Sequence, residues 1–238
     1  MKNYRLFYGF SIVLMFFIFS ACQKSYYISS DFKKATQNHS NIAIMPVQMV
    51  FTGSILGAAL SDEAKIEVEE AESKAFQISL FRELLYSSNS GKKQIWVNLM
   101  SVEQTNKMLE EKNISIRQSW EMTADELAEL LGVDAVIKTQ VYKQQYLTDL
   151  ASYGVNIGSK VLALLTKGRS LLAISGRKLD RTSTITAHCT LHNKENANTL
   201  WSMSLQEDTD FDSPTHQVID NINQQFAKNF PYRGKAKK

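Results

Sequence analysis

The chain has 238 residues, with 27 lysines and arginines against 24 aspartates and glutamates, and its formal net charge is +3. The sequence shows no basic stripe of the kind that nucleic-acid-binding domains carry, so we expect no nucleic-acid partner. Its two cysteines, Cys22 and Cys189, are too few for a disulfide framework. The length of the chain suits one good-sized domain, which must depend on its apolar core for stability.

The first segment has the pattern of a secretory signal. Lys2 and Arg5 precede an apolar run over 6–19, and the small residues Ser20 and Ala21 follow it. This run is shorter than the roughly 20 residues that span a bilayer as a helix. We therefore predict a signal peptide over 1–21, with an uncleaved membrane anchor as the alternative.

The end of this segment, FSAC over 19–22, resembles a bacterial lipobox. That resemblance implies cleavage between Ala21 and Cys22 and a diacylglycerol on the Cys22 sulfur. Phe19 stands where a leucine-type residue is usual, but a bulky apolar side chain fills the same kind of pocket. With Cys22 used in this way, Cys189 has no partner for an intrachain disulfide.

The residues after the cysteine indicate where the protein resides. Gln23 and Lys24 follow Cys22, with no aspartate next to it. By resemblance to known sorting patterns, this favours the periplasmic face of the outer membrane. We predict a lipidated tether over 22–39 and a single domain over 40–233, followed by a basic tail over 234–238 that is either solvated or in contact with anionic lipid or wall polymer.

The first half of the domain alternates strands and helices. A strand is predicted over 41–50, with Pro46 interrupting its hydrogen bonds. A helix from Ser61 to about Tyr86 follows, and a second strand covers 94–100. The predicted apolar face of this helix consists of Val68, Ala71, Ala75, Ile78 and Leu85, with Phe81 beside it. The acidic run over 67–72 is interpreted as its solvated face.

Capping signals then predict two helices and a third strand. Ser101 and Thr123 each have Gln or Glu three residues later, the spacing of a capping box that opens a helix. Gly132 is predicted to end the second of these helices as a C-cap. The apolar sequence over 133–146 indicates the third strand.

The last part of the domain follows an insertion over about 148–180. Alternating residues over 182–193 predict a strand with an apolar and a polar face, and 199–205 returns as its hairpin partner. Ser213 and Pro214 are predicted to open the final helix. The fold class is therefore α/β (α+β), a mixed sheet with helices packed against it, in the order β-α-β-α-α-β-(insertion)-β-β-α.

The candidate chemical groups have ordinary structural interpretations. His188 and His192 share a strand face but lie about 13 Å apart by the strand rise, and Cys189 points to the other face, so one metal ion cannot bind all three. Trp96 and Trp201 are predicted to pack in the core. No catalytic motif is present, and we predict no catalytic residue, no metal and no cofactor.

The element order is similar to that of a group of bacterial envelope lipoproteins and periplasmic domains. The resemblance is carried by NIAIMPV at 41–47, the capped helix and strand over 124–141, and the hairpin over 186–205. The group comprises CsgG, LpoB, PelC and the amino-terminal domain of TolB, with an anticodon-binding-domain-like fold. It implies a non-enzymatic scaffold or accessory factor for secretion, polysaccharide export or cell-wall synthesis.

This resemblance leaves the partner protein unidentified and makes a homo-oligomer possible. Two alternatives remain, a secretion-channel subunit of the curli type and an enzyme without a recognisable motif. The insertion is the predicted partner surface, through Ile157, Val161 and Leu165, since apolar residues beside loop glycines need cover. The alternative is that these three side chains complete the domain's own core.

Overall fold

The structure is a computed structural model that describes residues 25–52, 61–89, 94–143, 151–156, 158–159, 161, 163, 182–210 and 214–234. These residues form a mixed sheet with α-helices packed against it, which confirms the predicted class. The strands are β1 (Ser25–Ile28), β2 (Asn41–Ile44), β3 (Gln48–Phe51), β4 (Gln94–Ile95), β5 (Asn98–Leu99), β6 (Ala135–Lys143), β7 (Thr182–Asn193), β8 (Thr199–Asp210) and β9 (Arg233–Gly234). The helices are α1 (Phe32–Ala35), α2 (Asp62–Asn89), α3 (Val102–Glu111), α4 (Ile116–Glu121), α5 (Ala124–Leu131) and α6 (Thr215–Lys228).

The main sheet has the spatial order β1-β8-β7-β6-β2-β5, with β3 also beside β6. β2 and β3 both pair with β6 in parallel, and β5 pairs with β2 in parallel. The pairs β1–β8, β8–β7 and β7–β6 are antiparallel. β4 and β9 form a small separate pair.

The first predicted strand is interrupted where proline stands. β2 ends at Ile44 and β3 begins at Gln48, on either side of Pro46. Because proline has no backbone N–H, it cannot donate to a ladder. Both halves still pair with the same neighbour, β2 with the first half of β6 and β3 with the second. The predicted interruption is confirmed.

The burial pattern of β6 shows how the two faces of the sheet differ. Ala135, Val136 and Ile137 are all buried, since helices cover both faces there. From Lys138 onward, buried and half-buried residues alternate, as in a strand with one covered face. We call the face that packs on α2 and α6 the covered face.

The opposite side is called the open face, the polar side of β6, β7 and β8. Its half-buried side chains are Lys138, Gln140, Tyr142, Thr184, Thr186, His188, Thr190, His192, Ser202 and Ser204. On β7 the predicted alternation is confirmed, with Ile185, Ala187, Cys189 and Leu191 buried on the covered face. Among the described residues, α3 packs on β2 and α5 packs on β6 and β7, so these helices cover part of this surface.

Helix α2 departs from the predicted pattern in two respects. Leu85, expected on the apolar face, is 40% exposed, whereas Phe76, Leu80 and Leu84 are buried because α6 packs alongside α2. Glu72, expected on a solvated face, is completely buried. It forms an ion pair with Lys143 at the end of β6, and both side chains are inaccessible to solvent.

The three helices between β5 and β6 begin at side-chain caps. Ser101 accepts a hydrogen bond from the Gln104 amide at the start of α3. Thr123 and Glu126 form a complete capping box at α5, which ends at Gly132 with a φ of +65°. Helix α4 was not expected from the sequence, although Ser115 opens it with the same device.

The predicted tether over 22–39 is wrong for its described part. Residues 25–28 form β1, which pairs with residues 201–204 of β8, and α1 follows immediately. Phe32 is buried against Tyr232, near the C-terminus. The local sequence of this segment did not indicate an edge strand, because β1 obtains its hydrogen bonds from a partner far along the sequence.

Candidate binding surfaces

The predicted site residues fall mostly outside the described part of the chain. Ala21, Cys22, Ile157 and Leu165 lie there, so lipidation, cleavage and the wider partner surface stay predictions. Val161 is described and is 9% exposed, packed in a small cluster with Ala64, Val68 and Phe51. At this one position the insertion packs on the domain itself.

Further contacts attach the insertion to α2. The backbone amide of Gly158 donates a hydrogen bond to the Glu67 carboxylate on the exposed side of this helix. Gly158 and Val161 of the insertion are therefore held against the N-terminal third of α2.

The start of the insertion is fixed at Asp220 on α6. Its carboxylate accepts hydrogen bonds from Ser79 (2.6 Å), Arg82 (2.8 Å) and Tyr153 (2.9 Å). The Arg82 guanidinium also lies over the Tyr153 ring, 5.4 Å from its centroid. Burial and the Asp220 carboxylate raise the pKa of Tyr153, so its hydroxyl stays protonated at neutral pH. The carboxylate thus joins α2, α6 and the insertion, which sequence spacing does not reveal.

A row of aromatic rings crosses the end of the sheet where β8 begins. Trp201, which is fully buried as predicted, has its ring 6.4 Å from Tyr26 and 5.8 Å from Phe230. Phe230 in turn contacts Tyr232, and Tyr232 lies 4.8 Å from Trp96. The row joins the N-terminal strand to the C-terminal residues.

The two ends of this row are exposed. Tyr26 is 50% exposed at the β1 edge and Trp96 is 44% exposed near the β5 edge. The prediction that Trp96 packs in the core is therefore wrong. The reason is that the strand predicted over 94–100 is divided into β4 and β5, and Trp96 lies at the division between them.

A polar hollow of about 930 Å³ lies between the β1–α1 segment and the β7–β8 turn. His39 lines it and shares a 2.6 Å hydrogen bond with the buried Tyr232 hydroxyl. Asp134 lines it too and accepts hydrogen bonds from the amides of Ser40 (2.7 Å) and Asn41 (2.9 Å). Burial lowers the pKa of His39 and raises that of Tyr232. These groups stabilise the loop before β2.

A smaller hollow of about 290 Å³ lies on the open face, beside Trp120 and α5. Lys138 reaches its wall and donates to the carbonyls of Trp120 (3.1 Å) and Met122 (2.6 Å). Burial lowers the pKa of Lys138 below its ordinary value. His188 shares a 2.6 Å hydrogen bond with Ser204 across the strands. The lining of the hollow is mainly apolar, and Lys138 and His188 add hydrogen-bonding groups to it.

The residues considered for metal binding are divided between the two faces. Cys189 is buried on the covered face, where Thr139 donates to its sulfur at 3.4 Å, and burial raises the pKa of its thiol to about 12. His192 lies on the open face and is bonded to the Ala197 carbonyl (3.1 Å) and to Thr190 (2.9 Å). In the part of the chain that the structure describes, no group of three potential ligands converges.

The buried ion pair is the strongest electrostatic feature that sequence reasoning missed. Lys143 and Glu72 face each other between the sheet and α2, and Glu69 one turn away pairs with Arg117 on α4. Burial lowers the pKa of Lys143, although the Glu72 carboxylate opposes this effect. Burial also raises the pKa of Glu69, against the attraction of Arg117. Their placement inside the fold indicates a structural role.

No described helix combines the length and the apolar composition that a membrane span requires. No family model matches the chain. No curated protein matches it either.

Solved structures do show similarity to it. The PelC dodecamer of Paraburkholderia phytofirmans is 11% identical with a TM-score of 0.40, over 91% of this chain and 99% of that one. Lipoprotein GNA1162 of Neisseria meningitidis is 11% identical with a TM-score of 0.36, over 80% of this chain and 99% of that one. The LpoB C-terminal domain of Salmonella enterica is 14% identical with a TM-score of 0.32, over 75% and 92% of the two chains.

Proposed function

We propose that the chain is a lipid-anchored accessory protein of the bacterial envelope, held on the periplasmic face of the outer membrane, which acts by binding a partner protein and not by catalysis. One observation carries this proposal. A signal-like segment ends at Ala21-Cys22, and strand β1 begins three residues later at Ser25. A cysteine in that position suits lipid attachment, and two or more acyl chains give stable anchoring.

The positions of the reactive side chains support binding over catalysis. The Cys189 thiol is buried and held in the protonated form, which makes it a poor nucleophile. His188 and His192 are engaged in hydrogen bonds within their own hairpin. Their roles in the described structure are to join strands and to end the β7–β8 turn.

The proposed partner surface is the insertion over 148–180, as the sequence indicated. Tyr153 and Val161 attach its start to α2 and α6, so they hold the segment in place and are not themselves free for a partner. Ile157 and Leu165 remain the proposed contact residues. A deletion of residues 164–180 joined by a short glycine linker keeps both attachments. Unchanged stability with loss of the partner would support this surface, whereas lost stability would favour the core interpretation.

The anchor is tested by metabolic labelling with palmitate in a bacterial host that processes lipoproteins. We expect the full chain to take up label and to sediment with membranes, whereas Cys22→Ser should do neither. Cys189→Ala is the matched control, because it removes the other thiol and leaves the cleavage region intact. If Cys22→Ser stays membrane-bound and uncleaved like the natural chain, the proposed anchor is wrong.

The partner is identified by crosslinking in the native envelope followed by mass spectrometry. A protein recovered with the natural chain and lost with the 164–180 deletion would be the expected result. Hydrolase or transferase activity of the purified chain, abolished by substituting His188 or His192, would contradict the non-enzymatic proposal.

A further inference from the structure

The edge strand β1 has an unusual surface. Tyr26 is 50% exposed, Tyr27 is 49% exposed and Ile28 is 43% exposed, and no charged residue lies between Ser25 and Ile28. Edge strands of soluble domains commonly carry charges or proline, which discourage pairing with other chains. Three neighbouring apolar or aromatic side chains at an exposed edge therefore indicate a surface that contacts another molecule or a membrane.

Both faces of β1 take part in this surface. Tyr26 and Ile28 pair with Met203 and Trp201, so they share the covered face with these buried residues. Tyr27 pairs with Ser202 and points to the open face. Because exposed side chains lie on both faces, the strand projects beyond the helices that cover its neighbours.

The short distance along the chain between Cys22 and β1 indicates what lies against this edge. Cys22 precedes Ser25 by three residues, and even a fully extended chain of that length spans only about 10 Å. Acyl chains on Cys22 lie in the hydrocarbon layer, and the headgroup region above it is about 5–8 Å thick. An acylated Cys22 therefore keeps β1 at the membrane surface.

The side chains of β1 suit this location. Tyrosine rings combine an apolar body with a hydroxyl, and they are enriched where hydrocarbon meets headgroups. We propose that β1 is a membrane-contact edge, with Tyr26, Tyr27 and Ile28 seated in the headgroup region of the bilayer that holds Cys22. This inference rests on the proposed lipid anchor, and it replaces a flexible tether with a fixed orientation of the domain.

The opposite edge of the sheet provides an internal control. Trp96 is 44% exposed, comparable to Tyr27, but it lies next to β5, which stands at the other end of the strand order. Although Tyr232 links Trp96 to Phe32, the strand order places β5 at the far end of the sheet from β1, so the label at 96 is the more distant from β1 of two aromatic positions with similar exposure. Because Tyr27 and Trp96 are similarly exposed but lie at different positions, comparing them distinguishes contact with the membrane from nonspecific adsorption of exposed aromatic side chains.

The test uses the acylated full chain in vesicles of phosphatidylethanolamine and phosphatidylglycerol. Tyr27→Cys and, separately, Trp96→Cys receive a thiol-reactive fluorophore. The label is selective, because the Cys22 sulfur carries the lipid and Cys189 is buried with a raised pKa. Intact mass confirms acylation in each sample, and circular dichroism confirms folding.

We expect nitroxide-headgroup lipid to quench the label at position 27 several-fold more than the label at 96, and aqueous iodide to show the reverse order. Equal accessibility at both positions would overturn the membrane-contact edge. Protection of position 27 that depends on protein density and not on nitroxide lipid would also overturn it, in favour of edge pairing between two copies. If the intact mass shows no acyl chains, both the lipid anchor and the membrane-contact edge are refuted. If the chain is acylated but iodide still reaches the label at position 27, only the membrane-contact edge is refuted.

Discussion

The two faces of the main sheet are made by the same strands but have opposite characters. On β7, Ala187 and Cys189 are fully buried under α2 and α6, while Thr186 and His188 on the other face are half-buried. β6 shows the change within one strand, from three consecutive buried residues to strict alternation. The difference teaches that the burial of apolar side chains is concentrated on the covered face, whereas the polar side chains of the open face join neighbouring strands by hydrogen bonds.

The strongest test of this difference is a pair of neighbouring substitutions. Ala187→Asp places a carboxylate in the core and should cost more than about 4 kcal/mol of unfolding free energy, enough to prevent folding. Thr186→Asp introduces the same charge on the open face and should cost less than about 1 kcal/mol. Circular dichroism shows whether each variant folds, and urea denaturation measures the loss of unfolding free energy in a variant that does. Equal losses would show that the two faces do not differ as described.

The buried ion pair is the next largest contribution. Glu72→Gln keeps the side-chain volume but removes the carboxylate charge facing Lys143, and we expect a loss of about 3 kcal/mol. The double variant Glu72→Leu/Lys143→Met replaces both charges by apolar groups and should recover most of this loss. The same denaturation experiment measures all three chains. A stable single variant combined with an unstable double variant would contradict this account.

The Asp220 contacts connect the helix layer to the insertion. Asp220→Asn weakens the bonds from Ser79, Arg82 and Tyr153, and we expect a loss of about 1–3 kcal/mol. Proteolytic cleavage near Tyr153 should become faster than cleavage elsewhere in the chain. Glu129→Gln on α5 is the control, because it removes an exposed carboxylate that takes no part in these hydrogen bonds. An unchanged cleavage pattern would show that the insertion is held by other contacts.

The smallest expected effect concerns His192 on the open face. Burial lowers the pKa of His192 below its ordinary value, and nearby Lys138 acts in the same direction. The unfolded chain therefore takes up this proton first, so the stability from neutral His192 is present above about pH 6.5 and is lost as the pH falls through the lower folded-state pKa. Denaturation between pH 7.5 and pH 5 should show a steeper decline for the natural chain than for His192→Gln. Parallel curves would contradict the assignment.

Patterns within a short stretch of sequence predicted local structure well. The alternation over 184–191, the break at Pro46 and the cap at Gly132 each depend on neighbours along the chain, and each is confirmed. The same local reasoning failed for Glu72, since its partner Lys143 comes from a strand that follows three further helices.

The errors at β1 and at Trp96 have the same cause. The segment over 25–35 was interpreted as a tether because its own composition is polar, but β8 supplies the hydrogen bonds for β1. Trp96 was assigned to the core because a tryptophan inside an apolar run usually packs there. Predicting its exposure requires knowing that the run divides into two short strands with different partners.

The pairing of β1 with β8 also has a consequence for folding. The hydrogen bonds of β1 form only when residues 201–204, far along the sequence, come to lie beside it. Such long-range pairing is slow, because the loop must close before the contact contributes. A chain truncated before Thr199 lacks β8, so Tyr26 and Tyr27 in that chain have no strand to pair with.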